Sequence, residues 1–249
     1  MKFCVVTIFP GMFDAFAAHG IIRRAVESGR ISITPVNIRD YAEGRHKVTD
    51  DRPYGGGIGM VMKPEPLAAA IKAAREKCPD ARTVLLSPQG RRFDQQAARM
   101  YAEQGSLIFV CGRYEGIDER VCGEYIDDEI SIGDYVLTGG ELAAMVVMDA
   151  VTRHIPGALG AEDAAQCDSF SGDRLEHEHY TRPRVFEEKE VPEVLLSGDH
   201  RAIGQWRHES ALLQTVLKRP DLLENTELSE SEKQIVKKWC RRLESLVSD

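Results

Sequence analysis

A carboxylate and a guanidinium near the middle of the chain have the functional groups that proton transfer and anion stabilisation require. Asp168 lies in a stretch without periodicity, and Arg153 follows Asp149 by four residues in an apolar helical pattern. A carboxylate that a folded segment shields from water has a raised pKa, which suits a general base. Asp149 either neutralises Arg153 across one helical turn or aims it at a developing negative charge. Composition by itself favours an ordinary solvated carboxylate at Asp168, so these residues alone do not establish an active site.

Three glycine-bearing segments indicate where a ligand would bind. They cover residues 87–90, 112–116 and 130–141, and each is associated with a run typical of a buried β-strand. In an open α/β sheet, ligands bind outside the carboxyl ends of the strands, so the three segments are expected to share one pocket of backbone N–H and C=O groups. In the third segment, a β-type run over residues 132–137 carries apolar and aromatic side chains that suit a flat guest. The residues alone predict a nucleoside-sized ligand.

A further glycine-rich stretch, residues 53–60 (PYGGGIGM), has the composition of a phosphate-binding loop but not its spacing. It lacks the Gly-Lys-Ser/Thr of a P-loop and the G-x-G-x-x-G of a dinucleotide site. Arg45, His46, Lys47 and Arg52 flank it. The stretch is either a flexible loop near a polyanion or a plain surface turn with solvated charges.

The histidines give little indication of a metal site. His177 and His179 are two residues apart and lie near Cys167, but this is not a recognised spacing of zinc ligands. We therefore predict no metal-binding residue from the sequence.

The elements that would position these residues alternate between strands and helices. Apolar runs such as VLLS and LIFVCG have no polar alternation, as expected for parallel strands covered on both faces. Strands are predicted over residues 2–8, 31–38, 83–87, 107–112 and 130–137, and helices over 12–27, 66–77, 94–103, 118–124 and 141–153. This alternation predicts an α/β layer with a mostly parallel sheet. The last of these helices is apolar on nearly every face and should be buried, in part against a second subunit.

The chain is predicted to form two domains joined by a flexible linker. Residues 1–160 carry the strand–helix alternation, and residues 161–172 are small and polar without periodicity, which is typical of a mobile linker. Residues 173–249 are mainly helical, with helices from 199 or 200 to about 218 and over 229–247. Capping and acidic residues over 229–232 suit the positive end of the last helix.

Composition indicates a globular cytoplasmic protein. Of 249 residues, 43% are hydrophobic and 29% are charged, and no apolar run is long enough to span a bilayer. The pattern of the first residues predicts a β-strand and not a cleaved signal peptide. Six scattered cysteines without a close C-x-x-C pair favour reduced thiols. The net charge of −8 argues against sequence-blind coating of nucleic acid, although a local basic surface is compatible with it.

Several long motifs together resemble those of the bacterial tRNA (guanine-N1)-methyltransferase family. They are GRYEGIDER over residues 112–120, DEISIGDYVLTGGELA over 128–143, DDRPYGGGIGMVM over 50–62, the early TIFPGMF, and the later DSF and HYTRPRV. The resemblance spans nearly the whole chain. It implies a SPOUT-type α/β domain with a deep trefoil knot, a small helical C-terminal domain, and a homodimer. Neither composition nor periodicity indicates a knot.

The resemblance also implies a reaction. A methyl group moves from S-adenosylmethionine to N1 of the guanosine 3′-adjacent to the anticodon in tRNA, with no DNA or membrane involved. Because N1 lies on the Watson–Crick edge, the target base must be unpaired and splayed out, and two linked domains suit the clamping of an RNA loop. Mg2+ is implied as well, without assigned ligands. Cations available for phosphates are Lys218, Arg219, Lys237, Lys238, Arg241 and Arg242.

Residue roles carry over from the family where its motifs match. The general base falls on Asp168 and its partner arginine on Arg153. Glu176 stands where family members can carry Asp, and this departure leaves its role unassigned. The cofactor pocket falls on Leu86, Ser87, Pro88, Gln89, Gly112, Tyr114, Glu115, Ile132, Gly133, Asp134, Tyr135, Val136, Leu137, Gly139 and Gly140.

Two alternative functions remain open at this point. The first is a non-catalytic RNA-binding module that holds a nucleoside as a structural or regulatory element. The second is a SPOUT enzyme that methylates a ribose 2′-oxygen or another base. The position of a transferred label in tRNA separates all three.

Overall fold

The chain divides into two units, Met1–Glu162 and Asp163–Asp249. The computed structural model describes residues 1–160, 168–172, 174–224 and 226–247. Most of the predicted linker, residues 161–167, lies outside the described residues. Its remainder, residues 168–172, forms turns and bends.

The first unit is built on a parallel five-stranded sheet in the order β2-β1-β6-β5-β7. A separate antiparallel ribbon pairs two short strands that the sequence did not predict. The sheet strands are β1 (Lys2–Thr7), β2 (Ser32–Asn37), β5 (Arg82–Arg92), β6 (Ser106–Cys111) and β7 (Asp128–Ser131), and the ribbon strands are β3 (Asp50–Asp51) and β4 (Val61–Met62). The predicted α/β class with a mostly parallel sheet is confirmed.

Helices cover both faces of this sheet. They are α1 (Gly11–Ala17), α2 (Gly20–Glu27), α3 (Pro64–Lys77), α4 (Gln95–Ala102), α5 (Glu119–Tyr125) and α6 (Glu141–Thr152). Asp94 caps α4, and its carboxylate accepts a hydrogen bond from the backbone N–H of Ala97 at 2.8 Å. The single helix predicted over residues 12–27 is wrong. The chain breaks into α1 and α2 because His19 is extended and Gly20 adopts a left-handed φ of 61°.

Alternate residues of each central strand pack into different cores. In β1, Phe3 and Val5 face a core shared with α1, α2, α4 and α6, whereas Cys4 and Val6 face a core shared with α3 and α5. In the first core, Phe3 stacks on Phe109 of β6 with ring centroids 6.0 Å apart. Burial on both faces explains why these strands lack polar alternation.

The strand predicted over residues 130–137 is only half correct. β7 ends at Ser131, and residues 132–137 form bends and irregular chain. Gly133 has a φ of 151°, outside strand conformations, and its backbone N–H and C=O both bond the Ser131 hydroxyl. Because β7 is an edge strand with β5 as its neighbour in the sheet, the chain beyond Ser131 has no second strand to hold it extended.

The second unit contains both of the helices predicted for it. These are α7 (His200–Lys218) and α8 (Glu230–Val247), and a small ribbon pairs β8 (Val185–Phe186) with β9 (Lys189–Glu190). The Asp199 carboxylate caps α7 by accepting from the backbone N–H groups of Arg201 and Ala202. Across the described parts of both units, no helix is long and apolar enough to cross a membrane.

The carboxylate of Glu232 ties three parts of the second unit together. Its Oε1 lies 2.7 Å from Arg174 Nη1 and 3.2 Å from His208 Nε2 of α7. Its Oε2 accepts from the backbone N–H of Ser229 at 2.8 Å, while the Ser229 hydroxyl accepts from the Glu232 N–H. This reciprocal pair is a capping box at the start of α8. The hydrogen bond from Arg174 and those from Ser229 lower the pKa of Glu232 from 4.5 to about 2.

We expect Glu232→Gln to destabilise the second unit by about 1–3 kcal/mol at pH 7, because hydrogen bonds to a charged group are lost. Since the folded pKa is the lower one, this contribution is present above pH 4.5 and disappears as the pH falls towards 2. Urea unfolding followed by tryptophan fluorescence reports on this unit, because both tryptophans, Trp206 and Trp239, belong to it.

Glu230→Gln on the same helical turn is the matched control. Glu230 forms an exposed pair with Lys233, so its loss should cost less than about 1 kcal/mol. Equal effects of the two substitutions, or a Glu232→Gln effect that persists at pH 2, would contradict the role given to the Glu232 network.

Candidate functional site

Three strand ends of the first unit enclose a cavity of about 290 Å³. This is near the lower end of small-molecule pockets, which span roughly 300–1,000 Å³. Fourteen of the fifteen residues that the resemblance assigns to the cofactor pocket line it, and Asp134 is the exception within the described chain. Sequence reasoning missed the lining residues that lie outside the three glycine-bearing segments: Leu85, Ile117, Glu119, Cys122, Glu129 and Ala143.

The turn after the buried part of β5 projects into this cavity because of a register shift. Leu86 and Arg91 both lie opposite Ile130 of β7, so residues 87–90 bulge out of the pairing. The Ser87 hydroxyl accepts from the backbone N–H of Gln89 at 3.1 Å and closes the bulge. β5 therefore continues past the turn that the sequence predicted as its end.

The other two turns are bonded to each other. The backbone N–H of Gly140 donates to the carbonyl oxygen of Gly112 at 2.9 Å, and Arg113 forms an antiparallel bridge with Gly139. A Cβ at Gly140 would lie 2.8 Å from Cys111 Cα and 3.2 Å from Leu86 Cβ. Contacts below 3.0 Å require atoms to shift, so glycine is needed where this segment crosses the ends of two strands.

A buried carboxylate holds this crossing in place. Glu141, the first residue of α6, is 1% exposed. Its Oε1 accepts from the hydroxyl of Thr7 at 2.8 Å, and its Oε2 accepts from Arg113 Nε at 3.0 Å. Arg113 Nη1 also donates to the carbonyl oxygen of Thr138 at 3.1 Å, and the guanidinium covers the ring of Phe9. One ionic group thereby connects β1, the turn after β6 and the start of α6.

The sequence carried a weak signal for this network. Glu141 directly follows two glycines and begins an otherwise apolar helix, which is an unusual position for an exposed charge. That reasoning would have indicated Glu141, but no spacing in the chain indicated Arg113 or Thr7 as its partners.

The charges around the cavity suit a cationic guest. The carboxylate-bearing residues Glu115, Glu119 and Glu129 line it, while the lining residue Arg113 is engaged by Glu141. Burial raises the pKa of the Cys122 thiol to about 11, with Glu119 contributing in the same direction. This thiol is therefore neutral at pH 7 and is not an activated nucleophile. The cavity can hold a flat, partly apolar molecule that bears positive charge.

The glycine-rich stretch over residues 53–60 lies beside one wall of the cavity. The backbone N–H of Glu115 donates to the carbonyl oxygen of Met60, and that of Met62 donates to Gly116, each at 3.0 Å. Tyr54 and Ile58 are fully exposed. The stretch is thus a surface loop attached to the second of the three turns.

Arg153 and Asp168 occupy different units. Arg153 is half-buried at the end of α6, where its backbone N–H donates to the carbonyl oxygen of Asp149 at 3.3 Å. Asp168 is half-buried in a turn of the second unit, and its carbonyl oxygen accepts from the N–H of Ser171 at 3.1 Å. Among the described residues, those that line the cavity all belong to the first unit.

One group of potential metal ligands is found within the described residues. Glu176, His177 and His179 bring their ligand atoms within 4.8 Å of one another. The H-x-H spacing did not predict this group.

Comparison with known proteins gives consistent matches over most of the chain. The family model described as tRNA (Guanine-1)-methyltransferase TrmD matches residues 1–225. A tRNA (guanine-N(1)-)-methyltransferase of Desulfatibacillum aliphaticivorans is 60% identical over 247 residues, covering 99% of this chain and 94% of the relative. Relatives with the same name from Geobacter sulfurreducens and Syntrophotalea carbinolica are 58% and 52% identical, over 94% and 98% of this chain and 95% and 99% of their own lengths.

We expect Glu141→Gln to loosen the junction of the three turns. The substitution keeps the side-chain shape but removes the charge that Arg113 requires, and should lower the unfolding free energy of the first unit by about 1–3 kcal/mol. Hydrogen exchange measured by mass spectrometry should become faster at residues 112–116 and at the Gly140 amide.

Glu103→Gln is the control, because Glu103 is exposed at the end of α4, where the chain leads into the opposite end of β6. Unchanged exchange at both turns in Glu141→Gln would show that the buried carboxylate does not hold them.

Proposed function

The chain belongs to the tRNA (guanine-1)-methyltransferase family, and from this premise we propose how its residues carry out the reaction. The enzyme transfers a methyl group from S-adenosylmethionine to N1 of guanosine 37, which is 3′-adjacent to the anticodon of tRNA. The observation that carries this function is 60% identity to a curated relative over 99% of the chain.

The cavity at the three strand ends is the proposed site of S-adenosylmethionine, which supplies the methyl group when bound. Three properties support the assignment. The lining carboxylates of Glu115, Glu119 and Glu129 complement a sulfonium cation. The backbone groups of the three turns can hydrogen-bond a nucleoside, and apolar side chains such as Leu86 and Ile132 suit a flat base. The Glu141 network keeps these groups in place, which aims the methyl group by position.

Asp168 and Arg153 are the proposed catalytic pair. Guanine N1 carries a proton at neutral pH and is a poor nucleophile until that proton leaves. In this proposal the Asp168 carboxylate accepts the N1 proton as the bond between N1 and the methyl carbon forms. The bond between the methyl carbon and the donor sulfur breaks in the same step, and the neutral thioether S-adenosylhomocysteine leaves. Negative charge that spreads to O6 of the base is stabilised by the Arg153 guanidinium.

Exposed cations of α8 are the proposed contacts for tRNA phosphates. Lys237 and Arg241 are exposed and four residues apart, so they lie on the same face of the helix. A local cluster of this kind provides phosphate contacts despite the net charge of −8. We place the reaction in the cytoplasm, where the tRNA substrate is found.

A second copy of the chain is the proposed partner of α6. Although most of this helix is buried, Leu142 and Val146 are 50% and 49% exposed and lie one turn apart on one face. An exposed apolar stripe on an otherwise buried helix supports the homodimer that the family resemblance implies.

A trefoil knot is proposed for the first unit, as the family resemblance implies. The supporting observation is the close crossing at Gly140, where the chain passes Leu86 of β5 and Cys111 at the end of β6.

Mg2+ is retained as a proposal without protein ligands. The metal takes oxygen ligands and keeps several of its waters, whereas the Glu176–His177–His179 group offers two imidazoles. We therefore propose that Mg2+ acts through water and phosphate oxygens of the tRNA, and none of the steps above requires it.

Incubation with labelled S-adenosylmethionine and a tRNA that has guanosine at position 37 should place the label in N1-methylguanosine. Asp168→Asn should lower single-turnover transfer by at least about 100-fold, the lower bound for loss of a general base, with binding of the methyl donor retained. Glu103→Gln is the carboxylate control.

Each alternative has its own outcome in this assay. Label in a ribose or another base would indicate a different SPOUT activity, and donor binding without transfer would indicate a binding module. Transfer by Asp168→Asn at the wild-type rate would exclude Asp168 as the base.

Leu142→Glu should convert a dimer into a monomer, because it places a charge in the exposed apolar stripe of α6. Analytical ultracentrifugation checks this, with Met100→Glu on the exposed face of α4 as the matched control. A wild-type protein that sediments as one chain, or a Leu142→Glu variant that remains dimeric, would contradict the proposed interface.

A further inference from the structure

We propose that Glu176, His177 and His179 form a binding site for a transition-metal dication of the Zn2+ type. Their ligand atoms lie within 4.8 Å of one another. The site belongs to the segment over residues 175–180 of the second unit and shares no residue with the lining of the cavity that is assigned to the methyl donor.

The distances are close to those that a tetrahedral ion requires. Zinc bonds of about 2.0–2.1 Å place neighbouring ligand atoms roughly 3.3 Å apart. His179 Nε2 already lies 3.2 Å from Glu176 Oε1. The rings of His177 and His179 have centroids 4.6 Å apart. The ligand atoms lie within 4.8 Å of one another, so rotations of the side chains that close the remaining gap to roughly 3.3 Å would bring all three ligands to one ion.

The hydrogen bond of His177 leaves its other nitrogen ready for a metal. Nδ1 lies 2.8 Å from the carbonyl oxygen of Glu178. Because a carbonyl oxygen only accepts, Nδ1 must carry the proton, and Nε2 of the neutral ring keeps its lone pair. Metal-binding histidines commonly have this arrangement, in which a backbone carbonyl or carboxylate holds the N–H of the ring.

The backbone that carries the three ligands is held in advance by α7. The N–H of Leu175 donates to the Thr215 hydroxyl at 3.0 Å, and the N–H of Glu178 donates to the Ser210 hydroxyl at 3.1 Å. Gln214 Nε2 also donates to Glu178 Oε1 at 2.7 Å. A segment fixed in this way loses little conformational freedom when it binds an ion, so ordering of the segment subtracts little from the binding free energy.

The ligand set selects the class of ion. Two imidazoles and one carboxylate suit Zn2+, Cu2+ or Ni2+, whereas Mg2+ and Ca2+ prefer oxygen ligands throughout. Three protein ligands leave a further coordination position open to water. The His179 side chain is 64% exposed, which gives the ion a path into the site.

Trp206 provides a direct measurement of binding. Its ring lies 6.1 Å from that of His177, centroid to centroid, so Ni2+ bound at the site should quench its fluorescence. We expect saturable quenching of the untagged, metal-free full chain at one Ni2+ per chain, competition by Zn2+, and loss of the response in Trp206→Phe. Isothermal titration calorimetry with Zn2+ alone should give the same stoichiometry.

Substitution of each ligand distinguishes this site from surface binding. His177→Ala, His179→Ala and Glu176→Gln should each weaken Zn2+ binding at least about tenfold, since loss of an outer partner alone costs about 10–100-fold. His200→Ala is the control, because His200 is an exposed histidine of the same unit. Thermal melts of every variant verify that it is folded.

Two results would overturn the proposal. One is the absence of saturable binding, which would leave Glu176 and His179 as an ordinary ion pair. The other is equal Zn2+ affinity in the wild type and in both histidine variants. Neither measurement depends on methyl transfer, so the metal site and the proposed catalytic residues can fail separately.

Discussion

The buried charge of Glu141 is the constraint on which the geometry of the cavity depends. An ionised carboxylate removed from water is stable only when it is paired and fully hydrogen-bonded. Thr7 and Arg113 meet that requirement from two different strand ends, and Arg113 extends the connection to Thr138. As a result, the turns over residues 112–116 and 138–140 cannot move independently. A pocket made mostly of loop backbone thereby gains the rigidity of the sheet beneath it.

The second unit is held by a similar buried carboxylate. Glu232 joins Arg174, His208 and the start of α8 through one carboxylate. Nearby, hydroxyls of α7 hold the segment over residues 175–180 by its backbone N–H groups. In both units, polar side chains of helices fix irregular chain at the candidate sites. Packing of apolar residues forms the elements, and these polar contacts set where the loops lie.

Local signals explain which elements could be predicted from the sequence. Doubly buried strands such as β1 and β6 are unmistakable, because apolar residues on both faces remove any alternation. Residues 132–137 have the same β-type composition, yet they are not a strand, because β7 lies at the sheet edge and the φ of Gly133 turns the chain away. The two-residue strands of the ribbons are too short to give a periodic pattern.

The amino-acid sequence was sufficient to predict the fold class, most helices and strands, the family motifs and the glycine-bearing segments that provide most of the cavity lining. These features depend on local composition and on spacing along the chain, which can be read directly. The three-dimensional structure was needed to show that Glu141, Thr7 and Arg113 form one network, and that the bulge over residues 87–90 projects into the cavity. It also brought His177 and His179 to Glu176 in one group. Such contacts join residues up to 134 positions apart, or depend on side-chain direction, and neither property leaves a periodic trace in the sequence.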